Sequence, residues 1–157
     1  PARCVIDMSI ETMARLAKLP NIIGVKDATA DVARATLQKL ACGDTFCQLS
    51  GEDVTQLGFL AQGGDGCISV TANIAPKEMS DMHVAWQLGE IETAKHLNDR
   101  LMPLHSDLFC ETSPGPVKYA ASLLEKCSPE TRLPLCKISD GAKQKVEAAM
   151  RSAGLLN

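Results

Sequence analysis

The stretch Asn21-Ile22-Ile23-Gly24-Val25-Lys26-Asp27-Ala28-Thr29 decides how this chain is read, because an apolar run ends there on a lysine and opens into a polar turn. Lysine is among the side chains least often buried, since its ammonium loses hydration when it leaves water. Desolvation at the end of a buried strand favours the neutral amine. A neutral amine adds to a carbonyl carbon to give a Schiff base, an electron sink beside a keto acid. The same residue at the same place is also compatible with a head group that reaches back to solvent along its alkyl stem.

Working outward, the apolar runs 22–25, 46–49 and 67–70 are each followed by a helical pattern. The first helix expected is 31–40, with Ala33, Leu37 and Leu40 on one face. The second is 53–61, with Val54, Leu57 and Leu60 as its apolar stripe. The third is 76–88, where Pro76 suits the first turn because its missing N–H costs nothing there. Upstream, 9–19 reads as a helix capped by Ser9, with Met13, Leu16 and Ala17 inward and Pro20 as its stop. Strands spaced about two dozen residues apart with helices between them give the rhythm of βα units feeding a parallel sheet. After Gly89 the strand signal ends. The segment 90–109 is one helix with Ile91, Ala94, Leu97, Leu101, Leu104 and Leu108 near one face. Further helices are expected at 117–126 and 140–153, the latter carrying Val146, Ala149 and Met150 inward. The boundary between an α/β part, 1–88, and a helical part, 89–157, is placed near Gly89.

Composition limits the function classes. The chain has 157 residues, 45% hydrophobic and 22% charged, with a net charge of −3. That charge gives no reason to expect nucleic acid or an anionic membrane as partner. One Trp, one Tyr and three Phe leave few platforms for stacking bases or sugars. The seven cysteines are irregularly spaced with no C-x-x-C pair, so neither a usual zinc pattern nor a disulfide framework is expected. A reducing cytoplasm is the simplest setting. His83, His96 and His105 lie in helical segments without ligand or triad spacing and read as structural or surface residues. No signal peptide or apolar run long enough to cross a bilayer is seen. Pro1-Ala2-Arg3-Cys4-Val5-Ile6 opens without a methionine, so a removed N-terminus or a piece of a larger protein is expected.

If the strands are parallel, their carboxyl-end loops lie together on one face, where α/β barrels place their active sites. The loops that converge are those of Arg3, of Lys26, of Ser50-Gly51-Glu52-Asp53 and of Ser69-Val70-Thr71-Ala72-Asn73. Lysine for a keto acid and arginine for a carboxylate form a coherent pair, since the guanidinium fork makes two charge-assisted hydrogen bonds at once. Gly63-Gly64-Asp65-Gly66 precedes a strand, so it reads as a tight turn rather than a phosphate cradle.

Three separated motifs, Ile23-Gly24-Val25-Lys26-Asp27-Ala28-Thr29, Leu49-Ser50-Gly51-Glu52-Asp53 and Gly63-Gly64-Asp65-Gly66-Cys67-Ile68-Ser69-Val70-Thr71-Ala72-Asn73, together resemble the dihydrodipicolinate synthase family. That family belongs to the pyruvate-dependent class I aldolases, with N-acetylneuraminate lyase. Leu101-Met102-Pro103-Leu104, Pro114-Gly115-Pro116-Val117-Lys118 and Arg132-Leu133-Pro134-Leu135 resemble its C-terminal helical region. The resemblance implies an α/β fold: the C-terminal half of a (β/α)8 TIM barrel followed by helices. It implies that Lys26 forms a Schiff base with pyruvate, that Arg3 binds the carboxylate of aspartate semialdehyde, and that Gly51 and the Ile68 carbonyl line the pocket. No metal or organic cofactor is implied. Arg3 favours the synthase branch over the sialic acid lyase branch. Implied partners are the two substrates, and a homo-oligomer or a chain supplying the N-terminal half barrel.

The sequence also departs from the family pattern. Cys4 and Val5 replace Thr-Gly, Ala30 replaces Gly, Asp27 and Glu52 exchange one acid for the other, and Ser113 stands for Asn. Loss of glycine matters where the backbone needs φ > 0. A complete barrel takes about 250 residues. The missing part would carry a Thr-Thr pair for the pyruvate carboxylate and the proton-relaying tyrosines. The isolated chain is therefore expected to be inactive, and a non-catalytic remnant that keeps an assembly surface is the alternative from a different class.

Overall fold

The computed structural model describes residues 4–157, in two compact units, one ending at Ser69 and one running Val70–Asn157. The N-terminal unit contains α1 (Ile10–Leu16), β1 (Gly24–Asp27), α2 (Ala33–Cys42), β2 (Cys47–Ser50), α3 (Gln56–Ala61) and β3 (Gly66–Cys67). Helix α1 starts where the sequence places its cap: the Ser9 hydroxyl accepts from the Thr12 amide at 3.2 Å, relieving one of the orphan donors of the first turn.

The three strands are parallel in the order β1-β2-β3, with Gly24 opposite Cys47, Lys26 opposite Leu49, and Leu49 opposite Gly66. A side chain at Gly24 would place its Cβ 2.8 Å from the Cys47 Cβ, so glycine is what lets β1 close on β2. Alternation along β1 turns Asp27 to one face and Lys26 to the other. Helix α2 lies on the Asp27 face, since Arg34 and Gln38 both donate to the Asp27 carboxylate.

The α2 stripe expected from the 3.6 period does not face inward, and of the α3 stripe only Leu60 is buried. In α2 the buried residues are Ala35 and Gln38, while Ala33 and Leu37 are exposed and Leu40 is 80% exposed. In and before α3 they are Asp53, Gln56, Phe59 and Leu60, while Val54 is exposed. The sheet side of both helices is partly polar, because β1 and β2 present Asp27, Gln48 and Ser50 to them. Polar groups buried on one element require polar partners on the next.

The second unit has a 3₁₀ turn at Thr71–Asn73, then α4 (Pro76–Gln87), α5 (Ile91–Asp107), α6 (Gly115–Leu123) and α7 (Asp140–Ser152). Helix α4 packs on α5, and α5 and α6 on α7. Ala94, Leu101, Leu104 and Leu108 of the expected α5 stripe are fully buried, as are Val146 and Met150 of α7. Burying each of the larger side chains contributes ~1.5–3 kcal/mol. His105 is a core residue, its Nδ1 2.8 Å from the Thr71 hydroxyl. The compact units divide at 69/70 rather than near Gly89, because α4 shares its core with α5.

Candidate functional site

Lys26 lies within β1, one residue before its end, rather than after the strand. It is exposed, on the sheet face opposite Asp27. Among the described residues, no hydrogen bond or ion pair engages its ammonium. The desolvated amine expected from the sequence is therefore not what these residues build on their own; the stem crosses the strand end and the head meets water.

Two further expected residues sit beside it. Gly51 directly follows β2, and its amide donates to the Asp27 carbonyl at 2.7 Å. A Cβ at Gly51 would stand 2.7 Å from Lys26 Cε and 3.1 Å from Lys26 Cγ, so the lysine stem occupies space that only glycine leaves open. Ile68 follows β3, its amide donating to the Ser50 carbonyl at 2.8 Å, and its side chain is 48% exposed. Among the described residues, nothing hydrogen-bonds the Ile68 carbonyl. Lys26, Gly51 and Ile68 thus occupy the carboxyl ends of adjacent parallel strands. Arg3 lies outside the described residues.

Asp27 is the group the sequence did not single out as a centre of contacts. Its carboxylate accepts from the Thr29 amide at 2.9 Å and hydroxyl at 2.6 Å, from Arg34 Nε at 2.8 Å, and from Gln38 Nε2 at 2.7 Å. Burial pushes its carboxyl up, but the hydrogen bonds from Thr29, Arg34 and Gln38 outweigh that and hold it below the ordinary carboxylate range. Arg34 also reaches Asp7 and the Met8 carbonyl, both at 2.9 Å. A cleft of about 530 Å³ is lined by Asp7, Met8, Lys26, Asp27, Thr29 and Arg34 among others. The only sequence signal for this network was an acid beside the lysine and an arginine on the following helix. The Cys67 thiol is pushed up to about 11 by burial and by the Asp53 carboxylate.

The turn joining β1 to α2 holds Ala30 at φ 65°, and Val5 sits at φ 56°. Both are positions at which the resemblance implies a glycine. The backbone keeps the left-handed conformation without the residue that suits it.

Residues 1–153 match the family model described as the dihydrodipicolinate synthetase family. The chain belongs to that family. It is 57% identical to a 4-hydroxy-tetrahydrodipicolinate synthase of Parvibaculum lavamentivorans, over all of this chain and 54% of that protein. A second such synthase, from Rhodospirillum centenum, is 56% identical over 99% of this chain and 54% of its own length. Among solved structures, chloride-inhibited dihydrodipicolinate synthase from Acinetobacter baumannii, complexed with pyruvate, matches with a TM-score of 0.90 and 39% identity, covering 96% of this chain and 52% of that one. The chain therefore spans about half the length of the relatives it matches. Its fold is the C-terminal part of the family's barrel with the helical region that follows.

Among the described residues, no cluster of His, Cys, Asp and Glu is arranged to hold a metal, and no helix is long and apolar enough to cross a membrane.

Proposed function

We propose that Lys26 is the Schiff-base nucleophile of a synthase that condenses pyruvate with aspartate semialdehyde in lysine biosynthesis. The observation that supports this most directly is the convergence of Lys26, Gly51 and Ile68 at neighbouring strand ends, with Gly51 leaving room for the lysine stem. The pyruvate complex of the Acinetobacter baumannii relative agrees with a keto acid as the ligand. In this reading Lys26 Nζ adds to the pyruvate ketone, and loss of water gives an iminium. Loss of a methyl proton gives an enamine, whose carbon attacks the aldehyde while a proton is delivered to the new alkoxide. The amine of the semialdehyde then displaces Lys26 and closes the ring. The chemistry needs no metal or organic cofactor. Arg3 binds the carboxylate of the second substrate, and the Ile68 carbonyl lies beside the adduct. Both β1 and β3 are edge strands of a parallel sheet, a class normally covered on every side. A further half barrel, from this or another chain, is the partner that satisfies them, and the family's homo-oligomeric assembly is the setting.

The test is incubation with pyruvate and borohydride, followed by peptide mapping. A reduced pyruvyl group at Lys26 is expected; equal labelling of Lys18, Lys39 or Lys118 would sink the assignment.

A further inference from the structure

The connection between α6 and α7, residues 124–139, contains no helix or strand. Connections of that length inside a compact unit are uncommon and are often functional. This one closes a cavity of about 320 Å³ against Gly115 and Tyr119 of α6, near the lower end of the size range of small-molecule sites. The floor of the cavity is fixed. Tyr119 donates its hydroxyl to Glu147 Oε1 at 2.7 Å. A Cβ on Gly115 would stand 2.7 Å from Ile138 Cγ2, so the connection seats directly on the helix. Lys143, also in the lining, is already paired with Asp140 Oδ1 at 2.7 Å.

Two opposite charges in the same lining stay uncommitted. Among the described residues, neither the Glu130 carboxylate nor the Lys137 ammonium makes a hydrogen bond or ion pair, with each other or with any other group. Both residues are exposed, so water solvates each charge until a ligand brings its complement. We propose that this cavity binds a small zwitterion, a free α-amino acid with an apolar side chain, whose carboxylate meets Lys137 and whose ammonium meets Glu130. A simple anion attracted by Lys137 is repelled by Glu130, and a simple amine attracted by Glu130 is repelled by Lys137. Only a molecule that carries both charges pairs with each. Tyr119, Pro129 and Ile138 supply the apolar surface for its side chain. The site lies wholly within the second unit and does not rest on the Schiff-base reading.

The chain's single tyrosine is a reporter built into the lining. In chain carrying ring-labelled tyrosine, the Tyr119 NMR signals are followed at low salt during additions of L-leucine, isocaproate and isoamylamine. The last two are leucine without its amine and leucine without its carboxylate. Exposed ion pairs are weak, so half-saturation with leucine is expected in the millimolar range. Each analogue should bind about fivefold more weakly or worse, having lost one pairing and kept one repulsion. Glu130→Gln should weaken leucine binding by a similar factor without weakening isocaproate, and Lys137→Met should do so without weakening isoamylamine. Both positions are exposed, so the variants should keep their fold, as circular dichroism will check. The comparison of the three compounds on the unaltered chain decides the proposal even where a variant loses its fold. No saturable movement with leucine, equal half-saturation for all three compounds, or unchanged leucine binding in either folded variant overturns it.

Discussion

A single methyl group added at position 51 would take the space that the Lys26 stem uses, with Ala28 Cβ only 2.9 Å away on the other side. Gly51→Ala is therefore expected to reduce pyruvate trapping at Lys26 by about tenfold or more while leaving the chain folded, measured by mass spectrometry beside circular dichroism. Asp27 makes a second prediction at this scale. Its carboxyl lies below the ordinary value of 3.8, so its bonds to Thr29, Arg34 and Gln38 stabilise the fold fully at pH values above 3.8. That contribution is lost as the pH falls through its lowered folded value. Melting followed from pH 6 to pH 2 should show wild type losing more stability at the acid end than Asp27→Asn; parallel curves would remove Asp27 from the account. The motifs point to Lys26 and Gly51 as candidates, and the departures Val5 and Ala30 mark two positions at which the structure has positive φ. Ala30→Gly should raise the denaturation midpoint by the equivalent of ~0.5–1 kcal/mol, the left-handed cost of a non-glycine residue less the extra freedom of glycine in the unfolded chain. The hold of Arg34 on Asp7 was not legible, because no local pattern ties residues so far apart in sequence.

Elements were legible where one face is wholly apolar and misread where it is not. Ala94, Leu101, Leu104 and Leu108 of the α5 stripe and the inward residues of α7 follow the 3.6 period, since their main packing partners are helices, whereas Ile91 at the start of α5 is exposed. Helices α2 and α3 meet a sheet whose covered face includes Asp27, Gln48 and Ser50, so Gln38 and Gln56 turn inward and Leu37, Leu40 and Val54 turn out. A count of apolar residues cannot find a buried glutamine. Strand starts fall within two residues of the expected ones, while β3 ends three residues early, and the shift in β1 matters because it moves Lys26 from a loop into the strand. Pairing of β1 with β2 depends on the absence of a side chain at Gly24. Gly24→Ala should destabilise the N-terminal unit by ~1–3 kcal/mol, read by urea denaturation, because its Cβ would meet the Cys47 backbone and Cβ. A midpoint unchanged from wild type would show that the strands can separate at no cost.

At the scale of the whole molecule, the isolated 157-residue chain is expected to show little synthase activity, with a loss of more than ~10⁴ in rate against a full-length relative, because cooperating catalytic groups act as a unit. A coupled assay with pyruvate and aspartate semialdehyde checks this; turnover within tenfold of the relative would contradict it. Motif order makes the half barrel legible in the sequence, while the compact units part at 69/70, a division the helical pattern of α4 does not announce. The Ile23 and Asp27 carbonyls accept from the amides of Cys47 and Gly51, so the odd-numbered residues of β1 turn their backbone toward β2. Gly24 and Lys26 then turn theirs toward the free edge. The candidate nucleophile therefore carries its own reporter of assembly. In deuterated water the Lys26 amide should exchange quickly in the lone chain, and it should become slow when a complementary strand docks along that edge.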